Sequence, residues 1–211
     1  MFPQPTSYKD IVLQPVVATL LDDIVTNRLT FPGPKNGLLL HGPFGTGKST
    51  LAHLLPRFLD INRGGSGNVT PIEHAIVSGS NGTQLIASIN ATSETLPFSD
   101  KFHYFVLDEL DNLGTAAMKS MKVVMDRKTS IFIMTTNNLK EIDRGIVSRS
   151  HEVDMSAPPS SAWVPKIQAA LLAAGVTRQV LAADIESLVE LCTGDVRKII
   201  TQAEQLRNDL Q

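Results

Sequence analysis

One run in this chain has residue types at a spacing that defines a chemistry. Gly42, Pro43, Phe44, Gly45, Thr46, Gly47, Lys48 and Ser49 fit the pattern G-x-x-x-x-G-K-[ST]. Apolar Leu38, Leu39 and Leu40 precede it, and Thr50 opens the helix-like TLAHLLPRFL that follows. Glycines let backbone N–H groups turn inward around phosphate oxygens, and a helix starting there points its positive end at the same anion. Lys48 is spaced to reach β- and γ-phosphates, and the Ser49 hydroxyl to ligate Mg2+. The run reads as a cradle for a nucleoside triphosphate.

Hydrolysis needs in addition a carboxylate that orders the metal and a group that activates water. FVLDELD provides both: Asp108 and Glu109 follow the apolar Phe105, Val106 and Leu107, so they emerge at the C-terminal end of a buried strand, where open α/β sheets place ligands. Asp108 is assigned to the Mg2+ shell and Glu109 to polarising the attacking water. Asp111 fits a helix cap as well as a catalytic role. The next apolar run ends in Thr135, Thr136, Asn137 and Asn138. Asn137 reads as an amide that orients water or as a cap, and Asn138 as a cap. Arg149, within Ser148–Arg149–Ser150, and Arg197, within Gly194–Asp195–Val196–Arg197, each read alone as a solvated charge.

The elements that must hold these groups follow from hydrophobic patterning. Apolar runs at 37–41, 73–78, 103–108, 130–136 and 151–155 read as strands of a buried parallel sheet. Between them lie helical patterns after Lys48, around 83–90, and at 115–126, where Ala116, Met121, Val124 and Met125 can share a face. A further helical pattern spans 16–29, ahead of the breaker-rich FPGPKNG. RGGSGN (63–68) reads as a flexible linker loop. The fold expected is a doubly wound α/β core over 1–156. After Pro158 and Pro159 three helical patterns imply a small helical domain over 157–211, with Trp163 as its packing anchor.

Composition excludes several classes. With 211 residues, 42% hydrophobic and 19% charged, the chain is an ordinary globular sequence rather than a disordered one. A net charge of −2 argues against indiscriminate binding of polyanions, so any DNA contact must be a local patch. The single cysteine, Cys192, sits in a helical pattern and reads as a buried thiol, and the five histidines show no ligand spacing, so no zinc is expected. The N-terminus has no signal-peptide pattern and no stretch approaches a membrane span. A cytoplasmic protein is expected.

Taken in order and spacing, GPFGTGKST, FVLDELD, TTNN, SRS and GDVRK resemble the Walker A, Walker B, sensor 1, arginine-finger box and sensor 2 of the AAA+ family. The resemblance is to clamp-loader small subunits, the replication factor C and phage clamp-loader group, and it covers nearly the whole chain. It implies ATP and Mg2+ as cofactors, a P-loop AAA+ core and a helical lid. KDIVLQPVVATLLDDIV is similar to the segment that packs on adenine in that family, which implies Ile11 and Val12 as base contacts. SGSNGTQLIASI is similar to the family's stretch after the second strand. Asn137 is implied as sensor 1, Arg197 as sensor 2, and Arg149 as a finger inserted into a neighbouring subunit's site. A finger in trans makes hydrolysis conditional on assembly.

Three departures separate the sequence from that group. It stops soon after the lid pattern, without the family's C-terminal collar; Met118 stands where the family has a glutamine linked to activation by DNA; and Ser150 is the third residue of the arginine box. A minimal relative is expected, one that kept the motor. The leading expectation is a replication-associated ATPase that self-associates through its nucleotide site, with DNA and a sliding clamp or other replication protein as partners. Lys119 and Lys122 read either as DNA-facing or as a solvated helix face. A helicase or helicase loader is the second reading, and a nucleotide-switched scaffold with negligible turnover the third.

Overall fold

The computed structural model describes all residues except 1, 2, 80, 98–100, 177, 179 and 211. Ser80 of the SGSNGTQLIASI stretch thus lies outside the described residues. Five parallel strands form one sheet in the order β2-β3-β4-β1-β5: β1 Gly37–His41, β2 Ile72–Ala75, β3 His103–Asp108, β4 Ser130–Thr136 and β5 Ser150–Asp154. The helices of the core are α1 Pro15–Val25, α2 Lys48–Ile61, α3 Gly82–Ser93, α4 Thr115–Val124 and the short α5 Arg144–Ser148. Three more follow: α6 Val164–Ala173, α7 Ala182–Leu191 and α8 Val196–Leu210.

Strands buried on both faces explain the continuous apolar runs. Side chains alternate between faces, so Leu38 and Leu40 of β1 join α1 and α2 in one core, while Leu39 joins α3 and α4 in the other. Phe105 and Phe132 are register partners on β3 and β4 and stack at 5.2 Å between ring centroids. Gly37 opens β1 where a Cβ would stand 2.4 Å from Ser150 Oγ, so only glycine fits that close approach.

The structure corrects four expectations. The helix read at 16–29 ends at Val25: Asn27 turns to φ 60°, and Arg28 folds back onto Asp22 and Asp23 at 2.6 and 2.7 Å. The strand read at 73–78 stops at Ala75, and Val77 is exposed. On α4 the buried face is Ala117, Met118, Met121 and Val124, and Ala116 is exposed. RGGSGN is a built turn: the Asp60 carboxylate accepts from Gly67 N–H at 3.0 Å, and a Cβ on Gly65 would overlap that carboxylate. Arg63 reaches inward, donating to the carbonyls of Phe31, Leu59 and Ile24 at 2.5, 2.9 and 2.8 Å.

The C-terminal helices have an apolar cluster of their own, Trp163, Ile167, Leu171, Val176, Ile185, Val189, Cys192, Ile199 and Ala203. Burial pushes the Cys192 thiol up, and its Sγ donates to Leu188 carbonyl at 3.3 Å. This layer meets the phosphate loop directly. Val196 N–H donates to Gly45 carbonyl at 2.9 Å, and the Asp195 carboxylate occupies the space where a Cβ on Gly45 would lie. The N-terminal segment bridges these two apolar clusters, with Ile11 packed on the sheet core and Val12 on the C-terminal cluster.

Candidate nucleotide site

A cavity of about 670 Å³ opens at the C-terminal edge of the sheet. Phe44, Gly45, Thr46, Gly47, Lys48, Ser49 and Thr50 line it from the β1–α2 loop, Asp108 and Glu109 from the end of β3, and Thr135 and Asn137 from the end of β4. Ile11 and Val12 close it from the N-terminal segment, and Trp163, Lys166, Val196, Arg197 and Ile200 from the C-terminal helices. Residues spread from 44 to 137 thus face one space because parallel strands bring their C-terminal ends together, and the N-terminal segment and the C-terminal helices close over it.

The loop geometry follows from its glycines. Gly45 and Gly47 take φ of 78° and 89°, which turns the loop tightly enough to start α2 at Lys48. Gly42 (φ 145°) lies against the Met155–Ser156 backbone, where a Cβ would come within 3.0 Å. Gly42 and Pro43 are not among the lining residues. Their carbonyls instead accept from Lys48 Nζ at 2.9 and 2.6 Å, and Thr46 Oγ1 also donates to Pro43 carbonyl. Burial holds the Lys48 ammonium below the ordinary lysine range, against the pull of the Asp108 and Asp111 carboxylates.

The acidic end of β3 is organised around hydroxyls. Ser49 Oγ donates to both oxygens of Asp108, at 3.0 and 2.9 Å. Thr135, buried at the end of β4, donates to Asp108 Oδ1 while accepting the Glu109 N–H at 3.0 Å. Glu109 sits at φ 58°, in the left-handed region, a strained conformation of the kind that clusters at functional sites. Its Oε2 accepts from Asn112 Nδ2 at 3.0 Å, and the same amide donates to Ile76 carbonyl at 2.9 Å. Asp111 is not a helix cap: its Oδ1 accepts the Asn137 N–H at 3.4 Å. Asn138 caps the following turn through Lys140 N–H, which leaves the Asn137 side chain at the cavity.

Arg197 lines the cavity from the first turn of α8, and Arg149 does not. Arg149 caps the end of α5, and its carbonyl accepts from Gly37 N–H, at the start of β1, at 3.1 Å. The phosphate loop leaves the other end of that strand, roughly 13 Å away at about 3.3 Å per residue. Lys122 is also relocated relative to a free basic patch: its Nζ meets Asp143 at 3.2 Å, whereas Lys119 remains exposed on α4.

No motif assigns a role to Thr135, Asn112 or Lys166. Thr135 stood inside the TTNN run, but nothing in the sequence says that its hydroxyl bridges Asp108 and Glu109. Asn112 and Lys166 enter through a one-turn helix and a C-terminal helix face whose placement is tertiary.

A parallel five-stranded sheet with a glycine loop between β1 and α2 and a carboxylate pair after β3 defines a P-loop nucleotide-binding fold. The model of the AAA family, ATPases associated with various cellular activities, matches residues 38–156, more than half of the sequence. The chain belongs to that family, and it is an ATPase. Among solved structures it is similar to RuvB of Thermotoga maritima, the Holliday junction branch migration motor, at 18% identity and a TM-score of 0.71. The match covers 99% of this chain and 66% of that one. Two single-substitution variants of the same protein match at 18% and 17% identity with TM-scores of 0.69 and 0.71, over the same shares of each chain. The chain thus spans just under two thirds of the length of those structures. No curated protein matches it in sequence. Among the described residues no helix is long and apolar enough to cross a membrane.

Proposed function

We propose that the chain is the ATP-driven subunit of an assembly that works on DNA, each site being completed by Arg149 of a neighbouring subunit. The observation that carries this is the separation of charges. Lys48, Asp108, Glu109, Asn137 and Arg197 converge on one cavity, while Arg149 occupies the opposite edge of the sheet. A guanidinium there serves another copy's nucleotide, where it offsets charge developing on the γ-phosphate.

Within one subunit, Lys48 leaves its loop carbonyls for the β- and γ-phosphates, and Arg197 follows from the helical lid over 157–211. Ile11 and Val12 cover the base. The oxygen donors fit Mg2+, which takes one or two carboxylates together with substrate phosphates: Ser49 Oγ lies 2.9 Å from Asp108. When bound, the ion neutralises phosphate charge. Glu109 takes a proton from the attacking water, held for that task by Asn112, and Asn137 orients the same water. This preparation of Glu109 disfavours a scaffold with negligible turnover.

The order of motifs supports a clamp-loader-like subunit, with DNA and a sliding clamp or other replication protein as partners. A helicase-type motor is the second reading, favoured by the fold shared with a branch migration motor. Turnover per subunit, measured against protein concentration with primed DNA, four-way junctions or no DNA, tests the proposal. It predicts a rate that rises with concentration and with one of these DNAs. A rate indifferent to both contradicts it.

A further inference from the structure

Arg149 is not left to wander in solvent. It follows α5, and Asp126 lies in the turn after α4, so both residues precede strands and share one edge of the sheet. Arg149 Nε donates to Asp126 Oδ1 at 2.8 Å and Nη2 to Oδ2 at 3.3 Å. Nη1 donates to Gly145 carbonyl at 3.1 Å. A guanidinium has five N–H donors. Three are engaged, so Nη1 and Nη2 keep one N–H each that a phosphate oxygen can accept.

The pair is exposed, with 33% of the Arg149 side chain and 62% of the Asp126 side chain accessible. Ion pairs this exposed add little to stability. Fixing the plane of a long, flexible side chain is a different effect, because a reacting group displaced by about 1 Å loses on the order of 100-fold in rate. We infer that Asp126 is a positioning residue for Arg149, holding the guanidinium in the plane and extension that a neighbour's γ-phosphate requires. This rests on the reading of Arg149 as a finger in trans.

Mixed subunits test it. Lys48→Ala subunits offer the finger without a working site, and Arg149→Ala subunits offer the site without a finger. Asp126→Ala is added to one partner or the other. With Asp126→Ala on the finger donor, kcat of the mixture should fall about 10- to 100-fold, with KM for ATP held and Asp126→Glu restoring part of the rate. Asp126→Ala on the site donor should show no such fall, since that subunit has no finger to aim. Equal losses from both placements would make Asp126 merely structural. No loss, or a gain in rate from a released finger, would also overturn the proposal. A parent mixture that assembles yet stays inactive removes the shared site itself, and Asp126's role with it.

Discussion

Lys48, Ser49, Asp108 and Glu109 line one cavity, and their arrangement is set by neighbours the motifs do not name. Thr135 is the clearest case, since one hydroxyl binds the carboxylate of Asp108 and the backbone of Glu109. Thr135→Val keeps the shape and removes both bonds, so turnover should drop about tenfold, with roughly 1 kcal/mol lost from stability; steady-state rates and urea melts check this. Lys48→Ala should remove most of the affinity for ATP, read by nucleotide titration, because the loop from Gly42 to Thr50 carries no other cation. The protonated lysine is the binding form, and burial lowers its pKa. Affinity should therefore weaken as pH rises through that lowered value, earlier than an ordinary lysine would allow. Glu109→Gln should still bind ATP yet hardly hydrolyse it. The charged residues were legible because phosphate chemistry fixes their types and spacing. Thr135 and Asn112 were not, because a hydroxyl or an amide becomes a site residue only through the strand register that places it.

Among the elements, the runs at 37–41, 103–108 and 130–136 matched strands end to end, since strands buried on both faces leave an unbroken apolar signature. The edge strand β2 and the end of α1 did not, because each is terminated by something distant or conformational: the close of pairing with β3, and Asn27 in the left-handed region. RGGSGN looked like a linker because its glycines dominate the composition, while its structure depends on Asp60 and Arg63 reaching across the fold. Arg63→Met should destabilise the protein by about 2 to 3 kcal/mol, because it orphans carbonyls at the ends of α1 and α2. The junction of the phosphate loop with α8 makes a second prediction. Gly45→Ala adds a methyl both at φ 78° and against the Asp195 carboxylate. It should lift the C-terminal helices off the loop and weaken ATP binding about tenfold, about 1.4 kcal/mol, while thermal melting of the sheet core changes less.

On the scale of the whole molecule, the parallel sheet places the cavity-lining groups at one edge and Arg149 at the other, so on the proposed reading a single subunit holds an incomplete site. Motif order already pointed to Arg149, but only the sheet shows how far it stands from its own cavity. Isolated Arg149→Ala should bind ATP normally and lose hydrolysis by about 10³-fold or more, the scale of an arginine finger in other P-loop enzymes. The most direct measurement is the complementation of two inactive proteins: Lys48→Ala and Arg149→Ala subunits, mixed at varied ratios under conditions where light scattering confirms assembly. The shared-site account predicts that hydrolysis returns, with a maximum at intermediate ratios, because one partner supplies an intact cavity and the other an intact Arg149. Assembled mixtures that remain as inactive as either parent at every ratio would contradict it.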